Sequence, residues 1–314
     1  MKKRIVIIAG PTASGKTAIG VEVAKLLKGE VISADSMQIY KYMDIGSAKP
    51  TKEEMQGIPH YMIDVVNPEE EFSVALFRKL AGQYIDEITE RGNIPIIVGG
   101  TGLYINSLTY NLDFSEASVD TAYREYLGEI AKIHGSSYLH NMLKEIDEES
   151  YNRLHPNDIK RIIRALEVYK YTGKTISEIQ LKSKEKETEY EIAYIGLTMN
   201  REKLYERINK RVDKMFQMGL VDEVKKLKEM GYTKEMTSMQ GIGYKEVFDY
   251  LDNLYTLEEV KDIIKQSSRR YAKRQLTWFR REDRIYWVDL DINDTMDKAV
   301  KNIVNYIEGK FALL

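Results

Sequence analysis

The chain has 314 residues, 43% of them hydrophobic, with 47 Lys and Arg against 49 Asp and Glu and no cysteine. That length suits two domains, or one α/β core with an insertion, and the apolar share supports a sizeable core. A net charge of −2 excludes a chain that is basic throughout. The missing cysteine excludes disulfides, thiolate metal sites and a cysteine nucleophile, and it suits the cytoplasm.

Met1-Lys2-Lys3-Arg4 and the apolar run after it resemble a targeting start. The run is too short for that role, and no later run reaches the length of a membrane span, so we expect neither a leader nor a membrane. Ile5-Val6-Ile7-Ile8-Ala9 reads as a buried strand. It feeds Gly10, Pro11, Thr12, Ala13, Ser14, Gly15, Lys16 and Thr17, which fit G-x-x-x-x-G-K-[ST]. A helix over 16–27 follows, with Ile19, Val23, Leu26 and Leu27 at helical spacing. In that order the segments form a phosphate-binding loop. Backbone N–H groups and the helix N-terminus converge on phosphate oxygens, Lys16 neutralises charge, and the Thr17 hydroxyl suits Mg²⁺.

Further strands are expected near 30–33 and 94–98, with a helix near 73–91. This alternation predicts a parallel sheet. The second strand ends in Asp35-Ser36, in the ligand crevice of such a sheet. Asp35 there suits a Mg²⁺ ligand, a general base, or a turn residue that caps a helix. The strand Ile94–Val98 runs into Gly99-Gly100-Thr101-Gly102 rather than into an acidic metal ligand. That departs from a mechanical ATPase and suits a transferase whose acceptor comes close, or else a plain strand-to-helix turn.

Near Asp113 the pattern changes to polar, helical sequence that closes on Lys182–Glu187, a charged run read as a solvated connector. A strand over 190–199 rejoins the sheet. Helices over 201–217 and 220–230 follow, with Gly219 as the break, then a helix over 256–281, a strand over 284–289 and a closing helix over 294–308. We therefore expect a P-loop NTPase-like α/β core from residues 1–112 and 190–314, and an all-helical insertion over 113–189. Arg207 and Arg211 share one helix face, which suits a diphosphate or is simply solvated charge. Lys265, Arg269, Arg270, Lys273, Arg274, Arg280, Arg281 and Arg284 face only Glu282 and Asp283. At about 100° per residue the basic side chains span roughly half the helix, with Ile264, Tyr271, Ala272, Leu276, Trp278 and Phe279 opposite. Such a stripe is a footprint for a nucleic-acid backbone, or a solvated face. The four His residues show no metal spacing.

With these segments in hand, the chain resembles the bacterial tRNA dimethylallyltransferase (tRNA isopentenyltransferase) family over nearly its full length. The likeness rests on Gly10 to Thr17, Asp35-Ser36-Met37-Gln38-Ile39-Tyr40, Met43 to Pro50, and Gly99 to Tyr104. It continues through His155-Pro156-Asn157-Asp158, Arg161, Arg164 to Glu167, Arg207 to Arg211, Gly219 to Val224, Gln240 to Lys245 and Arg274 to Arg280. The resemblance implies transfer of a dimethylallyl group from its diphosphate to N6 of the adenine 3′ of the anticodon, in tRNAs reading codons that begin with U. It implies Asp35 as general base, Lys16 and Thr17 on diphosphate and Mg²⁺, Thr101 in the reaction channel and Arg211 on the diphosphate. It also implies that an anticodon stem-loop meets Asp35, Ser36, Met37 and Gln38; Ile159, Lys160, Arg161, Ile162 and Ile163; and Gln240, Gly241, Ile242, Gly243, Tyr244 and Lys245. The resemblance further implies tRNA contacts at Thr101 and Arg124. A monomer is the default expectation. On the first 110 residues alone a P-loop kinase with Asp35 as base is the competing class; the insertion, the basic helix and the absent acidic strand end favour the RNA-modifying one.

Overall fold

The computed structural model describes residues 2–110, 120–185, 188–293 and 295–312. The chain begins with β1 (Lys3–Ala9), α1 (Lys16–Leu27), β2 (Gly29–Ala34), α2 (Lys52–Met55), β3 (His60–Tyr61), α3 (Val74–Glu90), β4 (Ile94–Gly99) and α4 (Gly102–Thr109). A helical stretch follows: α5 (Thr121–His134), α6 (Ser136–Asn141), α7 (Glu148–Arg153), α8 (Ile159–Thr172) and α9 (Ile176–Glu185). Then come β5 (Tyr190–Thr198), α10 (Arg201–Gln217), α11 (Leu220–Glu229), α12 (Tyr244–Leu251), α13 (Leu257–Phe279), β6 (Tyr286–Asp289) and α14 (Met296–Phe311).

The strands form one parallel sheet in the order β3-β2-β4-β1-β5-β6. This is the α/β architecture expected from the alternation of strand and helix. The central strands are buried on both faces, which accounts for their continuous Ile and Val runs. On one face Val6, Ile8, Ile96 and Ile195 pack with Ile19 and Val23 of α1 and Ile303 and Ile307 of α14. A second core joins Ile39, Tyr40 and Met43 to Val212, Leu220, Val224, Tyr244, Phe248 and Ile264.

The register decides where chemistry can happen. Ala9 pairs with Gly99, and Gly99 pairs with Ala34. Three strands therefore end level, and the residues just past them emerge together: the phosphate loop, Asp35 and Gly100-Thr101. Gly99 is needed for this closeness, since a Cβ there would stand 2.2 Å from the Ala34 carbonyl oxygen.

The chain divides into two compact units, 1–106 with 189–314 and 107–188. The smaller unit has its own core of Leu127, Leu139, Leu143, Ile162 and Leu166. The expected change of pattern at Asp113 lies outside the described residues. The charged run expected as a connector is helical through Glu185, where α9 ends, and the Ser183 hydroxyl donates to the Ile179 carbonyl; Lys186 and Glu187 lie outside the described residues.

Candidate active site

The loop after β1 takes its shape from left-handed backbone at Ala13 (φ 62°) and Gly15 (φ 91°). Gly15 precedes α1 without a side-chain cap, and the first turn of α1 has no acidic residue. The first N–H groups of the helix are thus left for an anion. The Ser14 hydroxyl is buried with no hydrogen-bond partner among the described residues, a deficit that a phosphate oxygen would remove. The Lys16 ammonium donates to the Pro11 carbonyl at 3.2 Å, its one hydrogen bond among the described residues. Burial pushes Lys16 down to about 8; the Asp35 carboxylate opposes that fall and Arg211 adds to it. Burial likewise lowers Arg211, again against Asp35, and Arg207 lowers it further. The Arg207 guanidinium also stands over the loop, 3.1 Å from where a Cβ on Gly15 would lie.

Lys16, Thr17 and Asp35 face a cavity of about 310 Å³. Its walls include Thr12, Ser36, Met37, Gln38, Arg211, Gln240, Gly241 and Ile242. One end is therefore cationic, with a single carboxylate beside it. The apolar remainder comes from Val98, Ile208, Val212, Met215 and Ile264. An anion with a short apolar tail matches this division of surface.

Asp35 accepts from the Met37 amide at 2.9 Å, which fixes its carboxylate at the strand end. The Thr101 hydroxyl accepts from the Ser36 amide at 3.1 Å and is a hydrogen-bond partner of Tyr271. Thr101 thus joins two residues of the cavity wall, Ser36 and Tyr271. Burial, then the Asp35 charge, push the Tyr271 hydroxyl up to about 12. Gln275, buried on α13, ties the parts together. Its oxygen accepts from the Thr12 amide at 2.8 Å and its nitrogen donates to the Gly100 carbonyl at 3.0 Å.

The other expected RNA contacts divide by exposure. Gln240 and Lys245 are exposed, and Gly241 and Ile242 are half-buried; the Met37 side chain packs onto Gly241. Gly243 is buried, and Tyr244 is completely so. The Tyr244 hydroxyl bonds within the protein to Glu223 and Ser47, so its side chain offers RNA nothing. Gln38 is also spoken for, accepting from the Ser33 hydroxyl at 2.8 Å and donating to the Ala48 carbonyl at 3.3 Å. In the smaller unit Lys160 and Arg161 are exposed and Ile159 and Ile163 half-buried. Ile162 is fully buried, because it lies on the α8 face that carries Ala165 and Leu166 into the core. Arg124 grips the buried Glu167 with two hydrogen bonds of 2.8 Å while its side chain stays 40% exposed.

Several cavity residues escaped the sequence reading: Gly46, Ser47, Ser268, Tyr271 and the apolar positions of α10 and α13. Helical spacing holds the signal for some of them, since Ile208, Arg211, Val212 and Met215 form one stripe. The basic helix also needs correction. Trp278 is 38% exposed on the basic side, among Arg270, Lys273, Arg274, Thr277 and Arg281. Its indole lies against Gly102, where a Cβ would come within 2.3 Å. Lys265, Arg269 and Arg284 are held by Asp213, Asn209 and Glu282, so the stripe open to a partner is shorter than the sequence implies.

The fit of Mg²⁺ follows from the donor set. Among the described residues no three His, Cys, Asp or Glu side chains cluster as metal ligands. Thr17 on the cavity wall suits a hard cation that takes most of its oxygens from a bound diphosphate and water.

Residues 38–282 match the family model described as IPP transferase, and residues 3–69 match that of isopentenyl transferase. The chain belongs to the tRNA dimethylallyltransferase family. It is 55% identical over 96% of its length, and 97% of the relative's, to a tRNA dimethylallyltransferase of Acetivibrio thermocellus. Its structure is similar to a tRNA isopentenylpyrophosphate transferase from Bacillus halodurans (TM-score 0.74, 46% identity, 99% of each chain). It is also similar to a eukaryotic dimethylallyltransferase acting on tRNA (TM-score 0.75, 32% identity, 91% of this chain and 74% of that one). Members of this family are prenyltransferases, so the cavity belongs to an enzyme.

Proposed function

We propose that the enzyme transfers a dimethylallyl group from dimethylallyl diphosphate to N6 of the adenine 3′ of the anticodon, in tRNAs reading codons that begin with U. Asp35, placed beside Lys16 and Arg211 on one cavity wall, carries this reading. The exocyclic amine is a poor nucleophile because its lone pair is drawn into the ring. As N6 bonds the allylic carbon, the carbon–oxygen bond to diphosphate breaks and the N6 proton passes to Asp35. Lys16, Arg211 and the open amides of α1 meet the charge that grows on the departing diphosphate. Thr17 would hold Mg²⁺, which when bound adds positive charge beside the same oxygens. Thr101 and Gln275 act one layer behind, by fixing Ser36 and the loop amide of Thr12. An adenine must leave its stack to reach such a cavity, so the RNA is bound with that base flipped. The exposed cations of α13 around Trp278 suit the phosphates and bases of the stem-loop.

The test incubates the protein with Mg²⁺, dimethylallyl diphosphate and an anticodon stem-loop carrying A-A-A, then digests the product to nucleosides for mass measurement. An adenosine heavier by one C₅H₈ unit is expected. Asp35→Ala should lower the rate by about 10²–10⁴-fold, the range of a lost general base, with stem-loop affinity little changed. Phosphoryl transfer from ATP to a small acceptor, with no prenylated adenosine, would replace this reading with that of a kinase.

A further inference from the structure

Three segments of the sequence carry no role in the reaction above: Met43 to Lys49, the start of α11, and Tyr244. In the structure they meet. The amides of Asp44 and Ile45 donate to Glu223 Oε2 at 3.0 and 2.7 Å, and the amide of Gly46 donates to Glu223 Oε1 at 3.1 Å. The Tyr244 hydroxyl donates to Glu223 Oε1 at 2.8 Å and accepts from the Ser47 amide at 3.1 Å. Four consecutive backbone donors are therefore held by one carboxylate and the phenol bonded to it. From elsewhere in the loop, the Lys49 ammonium grips the Tyr40 carbonyl, Asp44 and Asp64. Gly46 admits no side chain here, because a Cβ would stand 2.6 Å from the Tyr244 ring.

Two of the four residues so held, Gly46 and Ser47, line the cavity together with Met37, Gln38, Gln240 and Gly241. We propose that Glu223 and Tyr244 are positioning residues that set the acceptor side of the cavity by fixing Gly46 and Ser47 in its wall. The proposal rests on the prenyl-transfer reading, in which the diphosphate takes the cationic end and leaves this wall to the adenine. Neither residue lines the cavity; both act through the loop. A carboxylate suits the task because each of its oxygens accepts more than one hydrogen bond, and successive amide N–H groups favour an anion. An amide in its place turns one acceptor into a donor facing other donors.

The experiment compares steady-state prenyl transfer and amide hydrogen exchange of residues 43–48 in wild type, Glu223→Gln and Tyr244→Phe. Glu223→Gln should raise the stem-loop KM about 10-fold, within what a small misplacement of a positioned group costs. The KM for dimethylallyl diphosphate should stay within about two-fold of wild type, and the loop amides should exchange faster. Tyr244→Phe keeps the ring against Gly46 and loses only the hydroxyl. It should raise the same KM about 3-fold, in line with one lost hydrogen bond, and it carries the test alone if Glu223→Gln does not fold. Faster loop exchange with an unchanged stem-loop KM overturns the proposal. So does a fall in kcat with both KM values unmoved, which marks a smaller folded fraction. A wild-type protein that transfers nothing overturns the function proposed above and this inference with it; an active wild type with unaffected variants overturns this inference alone.

Discussion

The molecule has two sets of cations built on opposite terms. Lys16 and Arg211 lie at the cationic end of the cavity, where burial lowers the pKa of both. Arg270 and Lys273 of α13, with Arg281 just past its end, stand exposed around a half-exposed Trp278. A buried cation with few partners is costly in the free protein, and that cost falls when an anion arrives. An exposed cation costs little and is screened by salt. The first set is organised for one fixed ligand of high charge. The second set suits a long polyanion that binds through many weak contacts.

The comparison breaks most easily at the buried pair. Arg211→Gln keeps a polar side chain but removes the charge, and it should lower kcat/KM for dimethylallyl diphosphate by about 10²–10³-fold, the scale of removing one donor that meets transition-state charge. Stem-loop binding measured without donor should be unchanged. If donor kinetics survive, the cationic end does not hold the leaving group. The next effect concerns pH. Because Lys16 is pushed down to about 8, it is charged below that value and loses its charge above it. In the free enzyme kcat/KM for the donor should therefore be level up to about pH 8 and fall about tenfold per unit beyond it. Lys16→Arg, charged throughout, should lose that decline even if its overall rate is lower. A wild-type profile that stays flat to about pH 9.5 would mean that the ammonium is not desolvated as described.

How much of this was legible in the sequence follows the same division. The phosphate loop is local: strand, turn and helix are consecutive, so Gly10 to Thr17 announce themselves, and Asp35 is placed by the strand before it. The parallel sheet followed from Ile and Val runs that alternate with helical spacing. Contacts between distant parts of the chain were not legible. Gln275 bonds Thr12 across 263 positions, and Glu223 bonds Gly46 across 177. No spacing rule relates residues so far apart. Polar tips also misled. The resemblance implied Tyr244 as an RNA contact, yet its ring fills a core and its hydroxyl serves Glu223. Trp278 read as core because it is apolar, yet Gly102 gives its ring a flat seat beside the basic groove. The pairing of Arg124 with Glu167, 43 positions away, was equally hidden.

The smallest effect separates the exposed cations from one another. Lys265, Arg269 and Arg284 are held by protein partners, whereas Lys273 and Arg281 line the groove around Trp278. Lys273→Ala and Arg281→Ala should each raise the stem-loop KM only a few-fold near physiological salt and leave kcat and the donor KM alone. Each should also flatten the dependence of log affinity on log salt, by about 0.7–0.9 for each phosphate that is no longer neutralised. Lys265→Ala removes an internal ion pair instead, so it should leave that slope unchanged and show up, if at all, as a small loss of stability. If all three variants shift the slope alike, the RNA reads the net charge of the region. If only Lys273 and Arg281 shift it, the RNA lies along the groove that Trp278 marks, which the sequence, by counting every basic residue on the helix, had drawn too wide.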